Sequence, residues 1–117
     1  ATPVPTSEWP SLKASSVKYN YANSVGKDFY LSGYGELRNY FNYAYDDYEE
    51  DYFCMKVEAD DGSRDTWYIY FHRDSFEELY EDALLFGEIR LEMKCNITKY
   101  QKGQDDMAQA LRVRWWN

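Results

Sequence analysis

From Phe29 to Trp116 the chain alternates apolar and polar residues, and one segment, Ser75 to Phe86, breaks that period of two with a helical one. A period of two puts successive side chains on opposite sides of a strand, so the pattern dictates strands with one apolar face each and a helix among them. In FYLSGYGEL, Phe29, Leu31, Gly33, Gly35 and Leu37 fall on one face against Tyr30, Ser32, Tyr34, Glu36 and Arg38. The small inward residues suit a strand that bends around a barrel. In DYFCMKVEA, Phe53, Met55 and Val57 face opposite to Cys54 and Lys56, and Asp60-Asp61-Gly62-Ser63 then signals a hairpin turn. The third strand, TWYIYFH, sets Trp67, Ile69 and Phe71 against Tyr68, Tyr70 and His72.

The helical segment carries Phe76, Leu79, Tyr80, Ala83 and Leu84 as one stripe, Ser75 and Glu78 at capping-box spacing, and Gly87 as its stop. A fourth strand, EIRLEMKCNITKY, points Ile89, Leu91, Met93, Cys95 and Ile97 inward. The last, ALRVRWW, points Leu111, Val113 and Trp115 inward and Arg112, Arg114 and Trp116 outward. Three strands, one helix and two strands is the order of an oligonucleotide/oligosaccharide-binding (OB) fold, a mainly β, five-stranded Greek-key barrel with its helix between strands 3 and 4. The reading divides the chain into an extended tether and lead-in over 1–24 and one OB domain over 25–117. Cys54 and Cys95 fall on opposite faces of their strands, which predicts two unbridged thiols.

The runs VGKDFYLSGYGEL, YFCMKVEADDGS and DSFEELYEDALLFGEIRLEMKCNITKY resemble the small bacterial OB proteins of the tRNA_anti-like type, over about Val25 to Trp116. That resemblance rests on hydrophobic and glycine spacing and implies the barrel, with nucleic-acid binding as the activity its name suggests. The chain departs from the family pattern at Met93-Lys94-Cys95, where a glycine often stands, and a straighter fourth strand is the expected consequence.

Charge argues against polyanions. With 13 basic and 21 acidic residues the net charge is −8, a field that repels phosphate backbones and anionic lipid. No apolar run approaches the roughly 20 residues of a membrane-spanning helix. The Pro/Thr/Ser character of ATPVPTSEWP suits an extended tether, which points to an exported or surface-attached protein with a signal peptide or lipid anchor upstream.

Aromatic residues make up 20% of the chain, and 13 of them are tyrosines. OB barrels bind on the outer face of strands 2 and 3 with the neighbouring loops as a rim. Parity gives that face and its neighbour on strand 1 the candidate ligand-binding residues Tyr30, Tyr34, Lys56, Tyr68, Tyr70 and His72, with Tyr43, Tyr45, Asp46, Asp47 and Tyr48 as the loop rim. Tyrosine rings stack on sugars, bases or partner side chains, and they also pair across strands with no ligand at all. Five acids lie between Asp46 and Asp51, without the ordered spacing or glycine of a calcium loop. His72 is the only histidine, and no nucleophile–base spacing, phosphate-cradling glycine loop or multi-ligand metal motif occurs, so no catalytic residue, metal or cofactor is assigned. Three readings follow: a non-enzymatic module for a neutral glycan or a protein partner, a single-stranded nucleic-acid binder, or a purely structural or inhibitory interaction domain.

Overall fold

A computed structural model describes residues 9–41, 45–100, 102 and 105–116. Five strands, β1 (Asp28–Arg38), β2 (Tyr52–Ala59), β3 (Thr66–His72), β4 (Glu88–Asn96) and β5 (Met107–Trp116), close into a barrel in the order β1-β2-β3-β5-β4. The pairings are antiparallel except β3 with β5, which run parallel. Helix α2 (Glu77–Phe86) lies between β3 and β4, so the chain has the OB barrel its alternation predicts.

Closure depends on β1, which pairs with β4 along most of its length and with β2 over its second half. At the crossover Gly33 faces both Ala59 and Leu91, and a Cβ there would stand 2.1 Å from the Glu58 carbonyl oxygen. Only glycine lets the two backbones approach this closely. Inside, Phe29, Leu31, Met55, Val57, Trp67, Ile69, Phe71, Leu91, Met93 and Cys95 form a continuous buried core. Each such side chain removed from water contributes about 1.5–3 kcal/mol against the entropy of ordering the chain.

The two barrel ends are closed differently. At one, α2 inserts Leu79 and Ala83, while Trp115 donates its indole N–H to Asp82 at 2.9 Å and ties the helix to β5. Gly87 stops the helix at φ +81°, its N–H bonded to the Ala83 carbonyl. At the other end, helix α1 (Ala14–Tyr19) and a 3-10 turn at Tyr21–Ser24 bring Ala14, Val17 and Tyr21 into the core, and the Tyr21 hydroxyl bonds the Met107 carbonyl. The expectation of an extended lead-in over 1–24 is therefore corrected from Ala14 onward, because the open barrel mouth needs an apolar seal and these residues supply it. Residues 1–8 lie outside the described residues.

Three local expectations also change. No capping box forms: the N-cap position is Phe76, without a side-chain cap, because Phe76 turns in to meet Phe71 edge-on at 5.7 Å and delays the helix past Ser75. Glu77 and Glu78 still suit the positive end of the helix dipole. Leu84 is 62% exposed, since the buried stripe narrows to Leu79 and Ala83 before the helix clears the barrel rim. On β5 the register slips: Lys94 faces Arg112 but Cys95 faces Ala110, leaving Leu111 as the extra residue of a bulge. Ala110 therefore points inward and Leu111 is 41% exposed, the reverse of the expected parity. The irregularity falls opposite the Lys94/Cys95 step of β4.

Candidate functional site

The outer face of β2, β3 and β5 is laid out in rows by strand pairing. Arg38, Cys54, Tyr70 and Gln109 form one row, and Glu36, Lys56, Tyr68 and Met107 the next. Most of this surface is covered. The β1–β2 connection folds back over it, and Tyr45, Cys54, Tyr70 and Met107 make a second buried cluster outside the barrel wall, flanked by Tyr40, Phe41, Tyr48, Tyr52 and Tyr68. Tyr45 stacks on Tyr70, Tyr48 stands edge-on to both and stacks on Tyr52 at 4.1 Å, and Tyr40 covers Tyr68 at 4.3 Å.

The hydroxyls of this cap find partners at its edges, which is what lets so many phenols be buried together. Tyr70 donates to the Tyr40 carbonyl at 2.5 Å, and Tyr48 to Gln109 Oε1 at 3.4 Å. Gln109 donates to the Tyr52 hydroxyl at 3.3 Å, and the Lys99 N–H to that of Tyr45 at 3.3 Å. Lys99 also pairs with Asp47 at 2.8 Å, which holds that exposed carboxyl below its ordinary range, and lies 4.5 Å from the Tyr48 ring centre. Burial raises the Tyr45 and Tyr70 phenols and pushes the Cys54 thiol up to about 12, so none of these groups is an ionised nucleophile near neutrality. Cys54 and Cys95 are both free, one in the cap and one in the barrel core.

The candidate ligand residues are thus dispersed. Tyr70 and Tyr45 are fully buried, so neither belongs to an exposed platform or an open rim. Tyr68, Tyr48, Lys56 and His72 are half-buried, and His72 sits edge-on to Tyr52 with Nδ1 buried and unpartnered. Asp46 and Asp47 are exposed beside the cap, while Tyr43 lies outside the described residues. Tyr30 is separated from Tyr68 and Tyr70 because it faces β4: it donates to Glu92 at 2.7 Å, with Trp9 edge-on to its ring and Lys13 4.7 Å above it. Burial and that carboxylate raise its phenol to about 12. Tyr34 is the exposed exception, set on β1 beside Arg90 of β4.

On the outer face of β1, β4 and β5, the row Tyr34–Arg90–Trp116 brings two rings and a guanidinium together. Arg90 lies 5.4 Å from the Tyr34 ring centre and 5.5 Å from that of Trp116, donates to the Tyr34 hydroxyl at 3.2 Å and pairs with Asp60 at 2.8 Å. Arg114 approaches Trp116 at 5.0 Å and pairs with Glu92. Exposed ion pairs add little stability, but these hold the side chains in one arrangement. The sequence placed Arg90, Arg114 and Trp116 outward without grouping them. Their tie to Tyr34 is a register relationship across three strands, although the alternation RVRWW marked an outward Arg–Trp stripe.

A third feature is a cleft of about 280 Å³ beside the cap, between the end of β1, the start of β2 and Tyr80 of α2. Among the described residues no three His, Cys, Asp or Glu side chains gather as a metal site. No helix of the described residues is long and apolar enough to cross a membrane. Comparison with known proteins found no matching family model, no matching curated protein and no matching solved structure.

Proposed function

We propose that this OB barrel is a non-catalytic module that holds a protein partner through the outer face of β1, β4 and β5. The observation that carries the reading is the Tyr34–Arg90–Trp116 row: Tyr, Trp and Arg are the side chains that dominate protein interfaces, and here they are ordered before any partner arrives. The tyrosine face of β2 and β3, the usual OB ligand surface, is occupied by the protein's own loop, which argues against a glycan or base stacking there.

The rival ligands fit the open face less well. A sugar stacks on a bare ring, whereas two guanidiniums crowd Trp116. A nucleic-acid backbone needs unopposed cations, whereas Arg90, Lys94 and Arg114 pair with Asp60, Asp28 and Glu92. The Pro/Thr/Ser-rich opening supports an exported or surface-tethered setting for the module.

The test places a photo-crosslinking amino acid at Tyr34 and, as control, at Leu85 of α2, in the native host. The reading expects one discrete adduct from position 34, absent from position 85 and lost in Arg90→Ala and Trp116→Ala proteins of unchanged melting temperature. Equal adducts from both positions, or an adduct indifferent to both substitutions, would overturn it. Saturable retention on an oligosaccharide or oligonucleotide array, abolished by Trp116→Ala, would replace it with the glycan or nucleic-acid reading.

A further inference from the structure

The cleft beside the cap has a composition unlike the rest of the molecule. Its lining takes in Phe41 and Tyr80 with the buried edges of Phe53 and Cys54, and Arg38 and Arg73 supply its charged groups. In a chain with net charge −8, the described residues that line this cleft include two arginines and no acid. Arg38 ends β1 in register with Cys54 and is paired with Glu36. Arg73 follows β3; its backbone N–H bonds the Asp51 carbonyl, and its guanidinium donates to the Glu49 carbonyl at 3.0 Å. That guanidinium, 5.8 Å from the Tyr80 ring centre, is thus oriented by neutral backbone oxygen, with Asp74 and Glu77 on the outer side of the shared Arg73–Tyr80 wall.

We propose that this cleft binds a small aromatic carboxylate, its ring against Phe41 and Tyr80 and its carboxylate on Arg73. A volume of about 280 Å³ lies just below the range for ligand pockets, which begins at about 300 Å³, and suits a single substituted ring. A guanidinium presents two parallel N–H donors that match the two oxygens of a carboxylate. Burial keeps the Cys54 thiol protonated, so it adds no charge to the cleft. This site is separate from the Tyr34–Arg90–Trp116 face, and its test leaves that reading untouched.

The experiment is a titration of the ¹⁵N-labelled protein with benzoate, with benzamide as the uncharged isostere and inorganic phosphate as an anion without an apolar body. The proposal expects saturable shifts for benzoate confined to amides around Arg38, Phe41, Phe53, Arg73 and Tyr80, and no saturable shift for benzamide or phosphate. Arg73→Gln should weaken benzoate by at least about tenfold, the scale of one lost charged hydrogen bond, while Lys27→Gln leaves it unchanged. Shifts scattered over the surface, benzamide binding as well as benzoate, or an unchanged affinity in Arg73→Gln would each overturn it. If Arg73→Gln does not fold, the shift map and the benzamide comparison on the unaltered protein decide alone.

Discussion

Tyr45 lies flat on Tyr70, their ring centres 4.5 Å apart and their planes 3° from parallel, so that a residue of the β1–β2 connection and a residue of β3 bury each other outside the barrel wall. Removing either ring opens the second cluster without touching the barrel interior. Tyr45→Ala should cost roughly 3–5 kcal/mol in urea unfolding, as for other buried aromatic truncations. Tyr68→Ala, at the half-buried edge, should cost clearly less. Equal and small losses for both would mean that the connection does not hold the face.

The same burial sets an alkaline limit. Tyr45, Tyr70, Cys54 and Cys95 all hold their protons more tightly in the folded chain, chiefly because burial disfavours their anions. Their stabilising contribution is intact below their ordinary values, near 9 for a thiol and 10 for a phenol, and falls as pH rises beyond them because the unfolded chain ionises first. Tyrosinate absorbance should therefore show a late class of phenols that ionise only as tertiary circular dichroism is lost. A single smooth titration of all tyrosines in an intact fold would contradict the buried pair.

At the β1 crossover, two glycines should respond differently to one added methyl. Gly33→Ala drives its Cβ into backbone, the Glu58 carbonyl, which cannot step aside without opening the β1–β2 pairing. Gly35→Ala meets the Leu91 Cδ1 at 2.7 Å, a side-chain tip that can turn. Overpacking typically costs about 1–3 kcal/mol; Gly35→Ala should fall in that range and Gly33→Ala above it. The order of the two melting temperatures checks the close approach directly.

Helix α2 offers a paired comparison. Leu79 is fully buried in the barrel mouth and Leu84 is 62% exposed. Leu79→Ala should cost about 2–5 kcal/mol, whereas Leu84→Ala should stay within about 0.5 kcal/mol. A near-neutral Leu79→Ala would remove the helix from its place as the barrel plug.

The two thiols are both buried and unbridged. Alkylation of non-reduced protein should be slow in buffer and should reach two adducts per chain in urea, read by intact mass. A two-dalton deficit with no adduct would demand a different strand register.

What the sequence determined by itself were the properties that depend only on neighbours along the chain. The parity of β1 to β4, the helix between β3 and β4, its stop at Gly87 and the placing of Cys54 and Cys95 on opposite faces all follow from side-chain period and local turn chemistry. Tertiary structure decided whatever depends on which segment meets which face. Period two says that Tyr70 points away from the core, but only the fold-back of Tyr45 and Tyr48 makes that outer side a second interior. Leu111 reads as inward until the slip opposite Lys94 and Cys95 turns it out, and Tyr30 reads as a neighbour of Tyr68 until pairing with β4 carries it around the barrel. The row Tyr34–Arg90–Trp116 joins three strands far apart in the chain, so its existence depends on the register of β4 between β1 and β5. Register and coverage are settled by long-range packing that maximises buried apolar area, and an alternation pattern carries no information about a partner beyond its own strand.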